Sequence, residues 1–162
     1  MWTTRQSVLL AAAFVMASCL SPLAEPHGAG HGHSHGYSAG EPGNPGRPAR
    51  VVNVTMQEAA GKMTYSPARV AVKRGDKVRF VLTNVGELDH EFVLATTEEN
   101  LRHAKEMQQH PAMEHDNANA KRLAPKQKSE VLWRFTKRGS FEFGCLIPGH
   151  REAGMTGTVV VD

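Results

Sequence analysis

The sequence predicts an all-β domain, an antiparallel Greek-key sandwich, with one inserted helix and a disordered His-rich N-terminal tail. Short segments rich in β-branched and aromatic residues recur after Arg50, and turns containing Gly or Pro separate them. The clearest segment, from Lys77 to Asn84, alternates charged with apolar residues, which is typical of a strand buried on one face. Six to eight short strands of this kind favour two packed sheets.

The chain begins with the features of an export signal. Residues 1–24 contain one charged residue, Arg5, an apolar run and then small residues, which is the composition of a signal peptide. The run is shorter than a membrane span requires. Residues 16–19 also resemble a lipoprotein box, in which Cys19 would carry the lipid. Both interpretations place the mature protein in the periplasm, with membrane attachment only if Cys19 is lipidated.

Residues 25–50 are predicted to form a disordered tail. Gly, Pro, His and Ser dominate this segment, and it has too little apolar content to bury a core. One interpretation is a polar linker. The other is low-specificity capture of Cu(II), with zinc or nickel as competitors, because a short His-rich tract is typical of a metal-binding segment. The histidines concerned are His27, His31, His33 and His35.

Residues 51–162 are predicted to form the folded domain. Its strands are expected to alternate with Gly-bearing turns such as the one at residues 74–76. The predicted strands cover residues 51–56, 69–73, 77–84, 92–94, 130–136, 140–145 and 157–161.

A helical insertion is predicted at about residues 96–123. Thr96 and Glu99 form a capping box, good helix formers continue to Gln109, and Pro111 ends the run. His103, Met107 and His110 are spaced four and three residues apart, so their side chains can share one helix face. Two further candidate ligands follow after Pro111. A solvated His beside core-packing Met is one interpretation, and a second, more labile copper site is the other. The residues concerned are His103, Met107, His110, Met113 and His115.

Three soft or borderline metal donors lie close together near the C-terminus. Four residues separate Cys145 from His150, and four separate His150 from Met155. A thiolate with a thioether selects copper, and two His, one Cys and a weak axial Met form a mononuclear copper site. The second His is predicted to be His90, which follows the strand ending at Asn84. The alternative is ordinary packing of each residue, but the joint arrangement favours copper.

Cysteine usage agrees with a metal site. Cys19 lies in the predicted signal, so the mature domain keeps Cys145 alone and forms no internal disulfide. Metal coordination gives a single thiol in an exported protein a reason to stay unoxidised. His150, beside a Pro-Gly turn, is predicted to be the more exposed ligand and His90 the buried one. Glu91 is a nominal acceptor for the second ring N–H of a ligand imidazole.

These motifs resemble those of the plastocyanin/azurin family of cupredoxins. The pattern Phe-x-Phe-x-Cys-x4-His-x4-Met, preceded by Asp-His-Glu-Phe, carries the resemblance, which covers roughly residues 51–162. Its spacing is most similar to the auracyanin and rusticyanin branch, and the His-rich leader is similar to the periplasmic copper-tolerance cupredoxins of bacteria, the CopI type. The resemblance implies a cupredoxin sandwich that binds Cu(II)/Cu(I) through the four ligands. The insertion between His90 and Cys145 is absent from minimal electron-transfer cupredoxins.

Two functions fit these observations. One is copper tolerance, in which the tail and the insertion collect periplasmic copper for the cupredoxin centre, with a redox partner or a copper exporter downstream. The other is an electron shuttle between respiratory or photosynthetic partners. Enzymatic activity is not expected, because a multicopper oxidase or nitrite reductase carries a His directly after the Cys, and Leu146 follows Cys145. Cu(I) oxidation by the site has no sequence feature that requires it.

Charge argues against nucleic-acid binding. The formal net charge is +3, and removal of the signal with Arg5 leaves 18 basic and 16 acidic residues. The signs are mixed along the chain, without a basic stripe interleaved with aromatic residues.

Overall fold

A computed structural model describes residues 36–109 and 117–162. It contains ten strands and one helix in this described part of the chain. In chain order they are β1 (Glu41–Pro42), β2 (Arg50–Ala59), β3 (Lys62–Ser66), β4 (Arg69–Val72), β5 (Lys77–Asn84), β6 (His90–Ala95), α1 (Thr97–Gln109), β7 (Ala120–Leu123), β8 (Lys128–Arg134), β9 (Gly139–Gly144) and β10 (Thr156–Val161).

The strands form two sheets, which confirms the predicted sandwich. The first sheet has the order β1-β8-β5-β2-β3, and the second has the order β4-β10-β9-β6-β7. Most neighbouring strands are antiparallel, but β2 pairs with β5 and β10 pairs with β4 in parallel. The expectation of a purely antiparallel sandwich is therefore wrong in these two pairs, because the chain crosses between the sheets before it returns to each of them.

The core lies between the sheets and follows the period of two read from the sequence. In β5 the buried positions alternate with half-buried ones, so that Phe80 and Leu82 point inward. Phe80 packs on Phe92 of β6 with ring centroids 5.2 Å apart, and Phe92 stacks on Phe143 of β9 at 5.1 Å. Large aromatic rings thus join the two sheets beneath the end that carries the metal donors.

The folded domain begins earlier than predicted. The disordered tail was expected to extend to Arg50, but β1 pairs with β8, and Trp133 Nε1 donates a hydrogen bond to the Ala39 carbonyl at 3.2 Å. Tyr37 packs edge-on against the Trp133 ring at 5.0 Å. Backbone pairing and one aromatic contact order this Gly- and Pro-rich segment, so a low apolar content did not prevent its packing. Residues 1–35, with the predicted signal, Cys19 and the tail histidines, lie outside the described residues.

The insertion is part helix and part strand. The capping box is present, since Glu99 N–H donates to Thr96 Oγ1 at 3.2 Å and Thr96 N–H donates to Glu99 Oε2 at 3.0 Å. Residues 120–123, however, are the edge strand β7, which pairs with β6. The helix ends at Gln109, as the run of helix formers predicts, but the insertion as a whole is not helical to residue 123, because hydrogen bonding to β6 decides the conformation of its last residues. The described part of the chain holds no helix with the length and apolarity to cross a membrane.

Candidate metal centre

Three predicted donors meet at one end of the sandwich. His90 Nδ1 lies 3.3 Å from His150 Nδ1, and His150 Nδ1 lies 3.4 Å from Cys145 Sγ. One ligand atom of each residue lies within 4.8 Å of the other two. Within the described residues, this is the only group of three or more His, Cys or acidic side chains close enough to hold one metal ion.

Strand ends and one loop position these donors. His90 is the first residue of β6, and Cys145 directly follows β9, its antiparallel neighbour. The chain then turns through Pro148 and Gly149, where a φ of 87° suits glycine. His150 N–H donates to the Ile147 carbonyl at 3.0 Å, which closes the turn and returns the imidazole towards Cys145. The Pro-Gly pair thus explains the spacing of the motif.

Met155 lies at the other end of the same loop and is fully buried. Cys145 N–H donates to the Met155 carbonyl, and Met155 N–H donates to the His150 carbonyl, both at 3.1 Å. Met155 also belongs to the same buried cluster as Cys145. The backbone therefore brackets Met155 between the two other loop donors, and its role as the axial ligand stays a prediction.

Burial sets the protonation state of each donor. His90 and Cys145 are fully buried and His150 is half-buried, as expected for one inner and one outer imidazole. Burial lowers the pKa of both histidines, which keeps their ring nitrogens neutral and able to coordinate. Burial raises the pKa of the Cys145 thiol to about 12, so without a metal ion this sulfur carries a proton.

The Glu91 N–H group also points at the sulfur, with a distance of 3.3 Å between Glu91 N and Cys145 Sγ. A donor at this position stabilises negative charge on a thiolate. The side chain of Glu91 does not play the outer role expected of it. Among the described residues its buried carboxylate oxygens have no hydrogen-bond partner, and burial raises its pKa.

Glu58, and not Glu91, is the carboxylate beside the outer ring nitrogen of His90. Glu58 Oε1 lies 3.4 Å from His90 Nε2, an ion-pair distance without hydrogen-bond alignment. The carboxylate accepts the backbone N–H groups of Leu88, at 2.7 Å, and Glu87, at 3.1 Å. Partial burial alone would raise the pKa of Glu58, but these hydrogen bonds and the neighbouring His90 bring it below its ordinary value. An ionised carboxylate thus faces the outer nitrogen of the buried imidazole.

Sequence reasoning missed Glu58 because nothing in its surroundings along the chain points to His90. It sits near the end of β2, and β2 lies beside β5, which leads into the loop before His90. Gly86 in that loop was a usable signal. A Cβ atom there would lie 1.8 Å from Glu58 Oε2, so only glycine lets the carboxylate approach the loop backbone.

The candidates for a second copper site divide between the described and the undescribed parts of the chain. Met107 is fully buried in a small apolar cluster with Val93, Ala120 and Leu146. His103 Nδ1 lies 3.0 Å from Glu106 Oε2 on the same helix. The remaining candidates, His27, His31, His33, His35, His110, Met113 and His115, lie outside the described residues.

The donor set suits copper. Two neutral imidazole nitrogens and one sulfur converge on a common point, and a buried thioether lies on the loop that joins two of them. Imidazole and thiolate together suit copper, and the Irving–Williams order places Cu(II) above zinc for such a site. His90, Cys145 and His150 are therefore positioned to bind a copper ion.

Comparison with known proteins agrees with this geometry. Residues 52–162 match the family described as copper binding proteins, plastocyanin/azurin family. The chain is 43% identical over 161 residues to the "Copper-resistant cuproprotein CopI" of Rubrivivax gelatinosus, a match that covers 97% of this chain and 96% of the relative. It is 36% identical over 110 residues to the protein of the same name from Vibrio cholerae serotype O1, covering 68% of this chain and 64% of that one.

Among solved structures, auracyanin B superposes with a TM-score of 0.60 at 24% identity, covering 76% of this chain and 96% of the other. That likeness concerns the fold, and the sequence matches concern the family. Together with the buried His-Cys-His group, they show that the chain belongs to the plastocyanin/azurin family of copper-binding proteins.

Proposed function

We propose that this protein is an exported copper-tolerance cupredoxin, which acts in the periplasm and holds copper at a mononuclear type 1 centre. The convergence of His90, Cys145 and His150 carries the proposal, with Met155 as the axial ligand. The relatives named "Copper-resistant cuproprotein CopI" support the role in tolerance, since one of them matches almost the whole chain.

When bound, copper supplies a one-electron couple between Cu(I) and Cu(II). Cys145 contributes the thiolate, and the N–H group of Glu91 stabilises its charge. His90 is fully buried, whereas His150 is half-buried at the surface. His150 is therefore the edge through which an electron, or the metal ion itself, enters and leaves the centre. Because the donor atoms already lie close together, their positions would change little between the Cu(I) and Cu(II) forms.

The His-rich tail extends this role. His27, His31, His33 and His35 provide imidazoles at short spacing, which suits weak capture of Cu(II) ahead of the buried centre. Deletion of residues 27–35 lowers the number of weakly bound copper ions and leaves the visible band of the buried centre unchanged. A copper titration of the two proteins, followed by absorption and by metal analysis, measures both quantities. Equal stoichiometry would contradict the capture role.

Electron transfer to a protein partner is the second candidate. Val85 and Leu88, on the loop that leads into His90, are 44% and 46% exposed. They are the apolar side chains at this end of the sandwich that a docked redox protein would contact first. The copper-loaded protein of a pure shuttle would exchange electrons with a respiratory or photosynthetic partner, and loss of the gene would impair that chain at ordinary copper concentrations.

Growth of a deletion strain across a series of copper concentrations separates the two functions. We expect copper sensitivity that the intact gene reverses and that a Cys145→Ser gene does not. A Glu130→Gln gene is a matched control, because Glu130 lies on the surface of β8, away from the metal donors. Normal growth in copper, with a defect in respiration or photosynthesis, would contradict copper tolerance and favour the shuttle.

A further inference from the structure

A buried polar side chain ties helix α1 to the metal-binding end of the sandwich. Asn100 is 1% exposed, and its Nδ2 atom donates hydrogen bonds to the Val93 carbonyl at 3.3 Å and to Glu142 Oε1 at 3.0 Å. Glu142 lies on β9, three residues before Cys145, and is itself 8% exposed. The insertion therefore contacts the strand that delivers the thiol through a specific polar contact.

The same carboxylate holds the ligand loop. Arg151 binds Glu142 with two nitrogens, Nη1 to Oε1 and Nη2 to Oε2, the second at 2.9 Å. The side chains of this pair are 17% and 10% exposed. A two-point pair between a guanidinium and a carboxylate, shielded from water, fixes both distance and orientation. Glu142 thus joins the helix on one side to the loop on the other.

Arg151 is the residue next to His150. The loop between Ile147 and Met155 is closed by backbone hydrogen bonds, including Gly154 N–H to the Arg151 carbonyl at 2.9 Å and Met155 N–H to the His150 carbonyl at 3.1 Å. Displacement of Arg151 therefore moves both predicted ligands of the loop. Gly144 leaves the space that this arrangement needs, since a Cβ atom there would lie 3.3 Å from Arg151 Nη1 and 3.3 Å from Glu142 Oε1.

We propose that Glu142 is a positioning residue for the copper centre. Through Arg151 it holds the loop that carries His150 and Met155, and through Asn100 it transmits the position of α1 to that loop. This inference rests on the proposed copper centre. The inserted helix then has a function, because it helps to set the geometry of the metal site. Glu142, Arg151 and Asn100 are not themselves predicted to be metal ligands.

The test compares copper-loaded variants by three measurements: the visible charge-transfer band, the copper hyperfine pattern in electron paramagnetic resonance, and the rate of copper release to a chelator. We expect Glu142→Gln and Arg151→Ala to shift both spectra and to speed release by about tenfold, as loss of a residue that supports metal ligands commonly does. Arg151→Lys keeps the charge but loses the two-point geometry. Its spectra and its rate of copper release should therefore lie between those of Arg151→Ala and those of the unaltered protein. Asn100→Ala leaves the ion pair intact and should shift the spectra in the same direction by less.

Two control variants separate positioning from other effects. Glu130→Gln removes a carboxylate from the surface pair with Arg79 and should leave all three measurements unchanged. Val72→Ala destabilises the core at the far end of β10 and should lower thermal stability without shifting the spectra. Unshifted spectra in Glu142→Gln, or an equal shift in Val72→Ala, would overturn the inference. Absence of a thiolate band in the unaltered protein would instead overturn the proposed copper centre.

Discussion

The donor group combines one residue at the start of a strand with others on the loop that follows a neighbouring strand. His90 begins β6, Cys145 directly follows β9, and His150 lies on the turn after it, which backbone hydrogen bonds close. The supporting groups come from further away still: Glu58 from the end of β2, and the Glu91 N–H group beside the sulfur. At the scale of residues, this support makes two predictions.

Glu58→Gln should weaken Cu(II) binding by about tenfold and raise the reduction potential of the centre, because outer carboxylates increase the basicity of ligand imidazoles. Competition with a chelator and a redox titration measure the two effects. Glu87→Gln is the matched control, since this neighbouring carboxylate is 81% exposed and pairs with Lys126. Equal affinity and potential in Glu58→Gln and in the unaltered protein would contradict the role of Glu58.

Copper binding should release about one proton between pH 7 and pH 9. The pKa of the buried Cys145 thiol is raised to about 12, so the copper-free sulfur is protonated throughout this range and must lose its proton to coordinate. Both histidines are already neutral there, because burial lowers the pKa of each below its ordinary value. The apparent affinity therefore rises by about tenfold per pH unit.

Calorimetry in buffers of different protonation enthalpy counts this proton. Cys145→Ser should abolish the release. An affinity that does not change with pH over this range would show that the sulfur is already a thiolate, or that it does not bind the metal.

At the scale of elements, α1 is held to the sheet by buried side chains near its two ends. Its buried side chains are Asn100, at the start, and Met107, near the end. Met107 belongs to one buried cluster with Val93 of β6 and Leu146, the residue after Cys145. The apolar contact and the polar contact thus hold the two ends of the helix over the strands that carry the ligands.

Met107→Ala should lower the free energy of unfolding by ~2 kcal/mol or more, because it leaves a cavity in a small cluster. Met107→Leu keeps the apolar volume and should cost less than ~1.5 kcal/mol. We expect Met107→Leu to bind the same number of copper ions as the unaltered protein. A lower copper stoichiometry in Met107→Leu, with stability retained, would show that the thioether is a ligand and would contradict the packing role.

At the scale of the whole molecule, the folded domain includes the segment before β2. Tyr37 and Ala39 contact Trp133, which is distant from them in the sequence, and β1 adds a short edge strand to the first sheet. Gly40 permits this approach, since a Cβ atom there would lie 2.1 Å from the Arg134 carbonyl oxygen. The segment that connects the His-rich tail to the sandwich is thereby fixed.

A chain that begins at Val51 should be less stable than one that begins at Gly36 by about 2 kcal/mol, since Trp133 loses both the apolar cover of Tyr37 and the carbonyl that accepts its indole N–H group. Urea unfolding of the two chains, followed by Trp fluorescence, measures the difference. Equal midpoints and slopes would show that residues 36–50 contribute nothing to the fold.

Much of this molecule is predictable from its sequence, for identifiable reasons. The period of two in β5 survives folding because one face of that strand is buried, and the donors Cys145 and His150 are recognisable because their spacing reflects a tight turn. Glu58 and β7 were not predictable in the same way. Their roles depend on neighbours that are distant in the chain, and their local sequences carry no matching period or motif.

The prediction of disorder for the segment before β2 is wrong for a related reason. Its composition is that of a disordered tail, and composition does not record that a single Ala and a single Tyr fit against Trp133. Local pattern therefore predicts elements and ligands here, whereas packing between distant segments decides the boundaries of the domain and the residues that support the ligands.

The central claim, a copper–thiolate centre at Cys145, is tested most directly by titrating the purified protein and its Cys145→Ser variant with Cu(II) while recording visible absorption and circular dichroism. The unaltered protein should develop an intense visible band from thiolate-to-copper charge transfer, which saturates at one copper ion per chain. The variant should lack that band and keep the same β-sheet spectrum. An intense band that persists in the folded Cys145→Ser protein would contradict the assignment.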